Sequence, residues 1–279
     1  MAGHPQGRPG ARPGRAVSGI AGALVGGLWA LWAQALGTDA TPQSVERCIR
    51  ANLPRTTAVQ DVEMVSQDRL GSERTIGAHI LWKRFDDGYS RVLVRFTAPD
   101  DIAGAAFLLI ETERRADMFL YLPELRKTRR ITTQSLRGSL YGTDFSYEDF
   151  ERLQGLAKGE PRRQLPDAEV DGRPAVVIEA RPPPEEGSAY TRVVSWIDRE
   201  TCIPLRTELY ERGGRLRKRL VVDPGQVRRE GGAWFPRELE MRDLRDETRT
   251  RLRLLRFERG VALPDRSFRL DRLGRGRAP

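Results

Sequence analysis

The chain has 279 residues, 39% of them hydrophobic and 31% charged, with 48 Lys and Arg against 39 Asp and Glu for a net charge of +9. That is enough apolar material for one sizeable core, and so much charge with only 7% aromatics excludes a multi-pass helical membrane protein. The first 35 residues hold three arginines and no acid, so a third of the excess lies there, and the remainder does not by itself point to nucleic acid.

In chain order, a basic stretch ending at Arg15 precedes an uncharged run from Ala16 to Thr38 whose apolar heart includes Ile20, Leu24, Val25, Leu28, Trp29, Leu31 and Trp32. This pattern predicts an export signal over residues 1–35, with Ala33-Gln34-Ala35 as its cleavage site. An uncleaved anchor is the alternative, and either way residues 36–279 form one domain outside the cytoplasm. Thr41 followed by Pro42 predicts an N-capped helix with Val45, Cys48 and Ile49 as its apolar stripe. From about Thr56 the period changes to two. Val92 and Val94 alternate with Leu93 and Arg95, Met118, Leu120 and Leu122 with Phe119 and Tyr121, and Thr250, Leu252 and Leu254 with Arg249, Arg251 and Arg253. Such segments predict about ten antiparallel strands, each with one dry and one wet face. Turn signals at Asp86-Asp87-Gly88, Asp171-Gly172, Gly213-Gly214 and Gly231-Gly232 suit hairpins between them. One short helix interrupts the pattern: Ser146-Tyr147-Glu148-Asp149 has a capping-box form, with Tyr147, Phe150 and Leu153 on one stripe. The segment from Arg181 to Gly187 reads as a surface loop.

Residues able to carry catalysis are scarce. The only histidine beyond the signal is His79, inside an ordinary strand pattern, so a nucleophile lacks its usual base. Asp144, Glu148 and Asp149 offer carboxylates for acid–base work, but their place at a helix start is equally explained by capping. Cys48 and Cys202 either pair in an oxidising compartment or act as small buried hydrophobes, and with one histidine they do not make a four-ligand zinc site. Forty-four of the 48 cations are arginines spread over strands, which reads as the wet face of the sheet; the densest patch, Arg126, Lys127, Arg129 and Arg130, is a candidate contact for an anionic membrane surface.

The blocks Phe96-Thr97-Ala98-Pro99, Gly104-Ala105-Ala106-Phe107-Leu108, Tyr121-Leu122-Pro123, Arg129-Arg130-Ile131 and Gly142-Thr143-Asp144-Phe145-Ser146-Tyr147-Glu148-Asp149 stand in an order that resembles the LolA-like outer-membrane lipoprotein-sorting proteins. Trp196-Ile197-Asp198, Pro204-Leu205-Arg206, Trp234-Phe235-Pro236 and Leu263-Pro264-Asp265 extend the resemblance over about Val45 to Leu273; it departs at Leu140-Tyr141, where a Phe-Met pair is more usual. The resemblance implies a mainly β (α+β) fold, a strongly curved antiparallel sheet forming an unclosed half-barrel lidded by short helices, whose apolar concave side holds acyl chains. It also implies a non-catalytic periplasmic carrier of lipid or acylated lipoprotein, with no cofactor or metal, partnered by a membrane transporter of the RND type. Trp82, Phe96, Phe107, Leu109, Phe119 and Tyr121 are then candidate cavity walls, with Tyr147 and Phe150 on the lid. A periplasmic sensor or adaptor built on the same fold is the alternative, and a secreted hydrolase using His79, Asp144 or Asp149 the remote one.

Overall fold

A computed structural model of the chain describes residues 36–275 except 38, 114, 115, 159, 185 and 186. The expected export signal over residues 1–35 therefore lies outside the described residues, as do two residues of the expected 181–187 loop. Helix α1 (Pro42–Ala51) leads into six strands: β1 (Thr57–Gln67), β2 (Glu73–Arg84), β3 (Ser90–Ala98), β4 (Ala106–Glu111), β5 (Ala116–Leu122) and β6 (Lys127–Arg130). Helix α2 (Tyr147–Leu153) follows, then β7 (Arg162–Val170), β8 (Arg173–Ala180), β9 (Arg192–Asp198), β10 (Pro204–Tyr210) and β11 (Leu216–Val221). A hairpin of β12 (Val227–Glu230) and β13 (Ala233–Pro236) precedes β14 (Glu238–Asp243) and β15 (Thr248–Arg259).

Thirteen of these strands form one sheet in the order β6-β5-β4-β3-β2-β1-β15-β14-β11-β10-β9-β8-β7, and β12 pairs only with β13. Every neighbouring pair is antiparallel, and the middle of the sheet is the pairing of β1 with β15. The two edges, β6 and β7, do not pair with each other, so the sheet stays open. Side chains from β1 to β5 and from β9 to β15 share one apolar cluster, which means that the sheet curves to bring its ends over a common inner face. This is the unclosed half-barrel expected from the sequence.

The one-dry-face expectation holds at β15, where Arg249, Arg251 and Arg253 are exposed and Thr250 and Leu254 buried. It fails from β1 to β5. There Val92, Val94 and Phe96 face inward, while Leu93 and Leu108 face outward into a second cluster with Phe268 and Leu273. The 3₁₀ turns Asp265–Phe268 and Leu270–Arg275 cover this outer face, and Arg95 donates to the Leu273 carbonyl at 2.9 Å to seat them. Strands buried on both sides read as continuous hydrophobic runs, which is why Phe107, Leu108 and Leu109 are all fully buried. A bulge breaks the β15 alternation: Asp61 pairs with Arg256 but Val62 with Leu254, so Leu255 is the extra residue, 54% exposed, and the phase shift turns Phe257 toward the inner cluster.

Both helices start as predicted. Thr41 and Ser44 exchange capping hydrogen bonds at the start of α1, and Ser146 and Asp149 do so at α2. At the β7–β8 hairpin, Val170 pairs with Arg173, and Asp171 (φ 49°) and Gly172 (φ 76°) both occupy the left-handed region that a two-residue turn of this hand requires. Cys48 and Cys202 form a disulfide that ties α1 to the turn between β9 and β10, resolving the alternatives the sequence left open. Beyond the roughly ten strands expected, β6, β12 and β13 are short pieces of four residues, two of them rich in arginine, that carry too little apolar period to be read as strands. Among the described residues no helix is long and apolar enough to cross a membrane.

Candidate functional site

The inner face of the sheet and its helical cover leave a cavity of about 400 Å³. Its floor is Val62 of β1, Met241 of β14, Leu220 of β11 and Leu252, Leu254 and Phe257 of β15. Its roof comes from three separate elements: Val45 and Ile49 of α1, Phe150 and Leu153 of α2, and Trp234 and Phe235 of the β12–β13 hairpin. Phe235 packs edge-on against Phe257, with ring centroids 4.8 Å apart, which joins the hairpin to the floor. Polar side chains gather at the rim, where Glu46 of α1 is bound by both Arg50 and Arg162. Asn52, just after α1, accepts from the Trp234 backbone N–H at 2.9 Å and donates to the Thr201 carbonyl at 2.8 Å. One amide thus fixes α1, the hairpin and the β9–β10 turn relative to one another.

Six of the eight residues expected at the site, Trp82, Phe96, Phe107, Leu109, Tyr147 and Phe150, lie in the inner cluster, and Phe119 and Tyr121 pack on the outer face against Phe268 and Leu273. Of the eight, Phe150 borders the cavity. The others are displaced from it because α2 closes directly onto that half of the sheet: Phe107 sits 5.0 Å from the Tyr147 ring and 5.9 Å from Phe150. The open volume begins on the far side of Phe150 and runs over the sheet from β2 and β1 through β15 to β8. Residues missed from sequence are Leu252, Phe257, Met241, Ile49 and Trp234. Trp234 stood in the Trp-Phe-Pro block, which was the available signal; Phe257 depends on the bulge and had none.

The carboxylates at the start of α2 are committed to structure. Asp149 accepts from Tyr190 Oη at 2.8 Å, Lys218 Nζ at 2.8 Å and the Ser146 backbone at 2.8 Å. Asp144 accepts from the hydroxyls of Thr248 and Thr250; burial raises its pKa, with those two hydrogen bonds opposing. Glu148 receives Ser188 Oγ, Arg152 and the Ala189 N–H. Burial works against the charge of Arg152, yet Glu160 and Glu148 outweigh it and raise its pKa. His79 faces the opposite way, buried on the outer side with Nδ1 2.5 Å from Asp61. The structure therefore does not bring His79 to Asp144 or Asp149. Among the described residues no group of His, Cys, Asp and Glu is arranged to hold a metal ion.

Arg126, Lys127, Arg129 and Arg130 are exposed along the turn into β6 and on β6 itself, the edge of the sheet. Arg130 pairs with Asp117 at 2.5 Å. Charge on an edge strand discourages pairing with another chain, a sufficient structural reason for the patch.

A family model described as an uncharacterized protein matches residues 88–275. No curated protein matches the chain in sequence. In fold the chain is similar to an outer membrane lipoprotein-sorting protein domain from Vibrio parahaemolyticus, at 23% identity and TM-score 0.75, covering 83% of this chain and 97% of that one. It is similar to a DUF1329 family protein from Desulfovibrio piger at 24% identity and TM-score 0.76, covering 82% and 96% of the two chains. A LolA superfamily protein from Nitrosomonas europaea matches at 20% identity and TM-score 0.65, over 83% of this chain and 99% of that one. These likenesses establish the fold, and they agree with the resemblance read from the sequence blocks.

Proposed function

For a chain that belongs to this family of uncharacterized proteins and has the LolA-like fold, we propose that the cavity holds the acyl chains of a lipid or lipoprotein and that the protein carries them between membranes without covalent chemistry. The observation that carries the reading is the cavity itself: about 400 Å³, floored by aliphatic and aromatic side chains and roofed by three separate elements. Each methylene moved out of water contributes about 0.8 kcal/mol, so ten give about 8 kcal/mol before ordering costs, which is affinity enough without a polar contact. The Cys48–Cys202 disulfide supports an oxidising compartment such as the periplasm. Satisfied carboxylates and a histidine turned to the outer face support a non-catalytic role. In this reading a transporter of the RND type supplies or accepts the cargo, and the β6 edge with Arg126, Lys127, Arg129 and Arg130 meets the anionic surface, contributing about 1 kcal/mol per cation near it.

The test is mass spectrometry of protein purified without detergent. Wild type is expected to release lipid on extraction, and Leu252→Arg to release none while keeping its circular dichroism spectrum. Leu252 is half-buried and lines the cavity, so a charged side chain there enters the ligand space; at fully buried Phe107 it would break the core instead. Recovery of no lipid from the wild type would overturn the carrier reading.

A further inference from the structure

The inner face of β1 carries one residue out of keeping with its neighbours. Ala58, Val62 and Met64 lie in the inner cluster, whereas Val59 lies in the outer one and Asp61 bonds His79 on the outer side, so the alternation points Gln60 inward. Its register partners, Ile80 of β2 and Phe257 of β15, belong to the same inner face, and Gln60 itself lines the cavity. A half-buried amide therefore stands on the central strand with apolar side chains before, after and on both sides of it.

Other polar side chains on this inner surface are spent within the protein. Ser66 donates to the Gly142 carbonyl at 3.1 Å, Thr250 to the Asp144 carboxylate at 2.6 Å, and Ser195 and Thr207 bond each other at 3.1 Å. No described residue bonds the Gln60 amide, and neither of its polar atoms is sealed from solvent. It has two donors and an acceptor to offer. A hydrocarbon chain laid against it strips its water and returns no hydrogen bond, whereas an acyl carbonyl oxygen returns one. Gln60 also stands toward one end of the cavity, which runs from β1 across β15, β14 and β11 to Ile178 and Ala180 of β8. A carbonyl held there leaves the length of the apolar floor for the chain that follows it.

Resting on the reading of the cavity as a lipid site, we propose that the Gln60 side-chain amide donates a hydrogen bond to an acyl carbonyl oxygen of the bound lipid, making the protein selective for ester- or amide-linked chains over alkyl ethers. The expected preference is about fivefold in affinity, the equivalent of about 1 kcal/mol for a neutral hydrogen bond.

Displacement of a fluorescent fatty-acid probe from the purified protein tests this with three competitors: dipalmitoyl phosphatidylglycerol, its di-O-hexadecyl ether analogue and a dipalmitoylated lipopeptide. Wild type is expected to favour a carbonyl-bearing competitor over the ether lipid about fivefold, and the tighter of the two identifies the source of the acyl group. Gln60→Leu keeps the side chain's bulk and is expected to abolish the preference from both directions, weakening the ester lipid and tightening the ether lipid, because the variant has neither a hydrogen bond to give nor an amide to dehydrate. As an independent measurement on the unmutated protein, the side-chain amide resonances that disappear in Gln60→Leu are expected to shift downfield with the ester lipid and not with the ether. Equal binding of ester and ether lipids by wild type, a preference that survives in Gln60→Leu, or an equal loss of affinity for both lipids in that variant overturns the contact but leaves the lipid cavity standing. Failure of every lipid to displace the probe from wild type overturns both.

Discussion

The Cys48–Cys202 bond links residues 154 apart in sequence, and its loss makes a quantitative prediction. In the chain-entropy description, closing a loop of that length removes about 5 kcal/mol of freedom from the unfolded chain, and loss of a native disulfide typically costs about 2–5 kcal/mol. Both sulfurs are buried, in a cluster where Val45 and Cys48 of α1 meet Val176, Ile178 and Ile197 of the sheet. Alanine is therefore the appropriate replacement, since serine would add an unsatisfied hydroxyl. We expect Cys48→Ala/Cys202→Ala to lose about 3–5 kcal/mol in urea unfolding followed by circular dichroism. For a domain of this size that is on the order of 10 °C in Tm. Because α1 roofs the cavity and the bond anchors it, the same double variant is expected to release bound lipid faster than the oxidised protein. Wild type with reductant should match the variant. A loss below about 1 kcal/mol, or unchanged lipid release, would refute the reasoning: α1 would then be held by its apolar stripe alone.

Two further predictions concern buried charge. Lys218→Met removes the cation that bonds Asp149 at 2.8 Å and the Asp144 carbonyl at 2.6 Å, leaving a buried carboxylate uncompensated; it should cost about 3–5 kcal/mol in urea unfolding, and a loss near zero would mean that the network is unimportant. At Glu111 burial acts to raise the pKa, but hydrogen bonds from Lys158 and the Ser90 N–H outweigh it and hold the carboxyl below its ordinary 4.5. A lowered folded-state value means that the contribution to stability is complete above pH about 4.5 and is lost as pH falls through the lowered value. Glu111→Gln should accordingly flatten the acid side of the stability profile, measured as urea midpoint against pH, and an unchanged acid slope would count against it.

The sequence made local features legible and left long-range ones hidden. Thr41 and Ser146 mark helix starts because a cap is a contact between residues three apart, and Asp171-Gly172 marks a hairpin because the turn itself demands left-handed backbone. Which face of a strand is the inner one is decided elsewhere in the chain. On β5 the aromatic side, Phe119 and Tyr121, looks the better candidate for a cavity wall, yet it turns outward because Phe268 and Leu273, some 150 residues later, arrive to cover it, while Met118 and Leu120 go inward. The cavity is likewise a difference between two halves of one surface. Over β4 the α2 aromatics reach the sheet and fill the space; over β14 and β15 the cover comes from the β12–β13 hairpin, where Phe235 meets Phe257 and volume remains beside that contact. An alternating pattern cannot report that, and a bulge that redirects Phe257 reverses what the pattern does report.

The seam between β1 and β15 sets the order in which the molecule is put together. Glu63 and Arg253 face each other across it from 190 residues apart, while most other neighbours in the large sheet are joined by a hairpin or a short loop. Two antiparallel meanders, β1 to β6 and β7 to β11, can each form from nearby contacts, but the sheet becomes continuous only when β15 reaches β1. A closure of that span makes folding slow relative to helical domains of equal size. Until it happens β1 presents an unpaired edge with Val62 and Met64 on one side, open to the β15 of another copy as readily as to its own. Refolding yield should therefore fall as protein concentration rises, with exchanged dimers as the characteristic by-product.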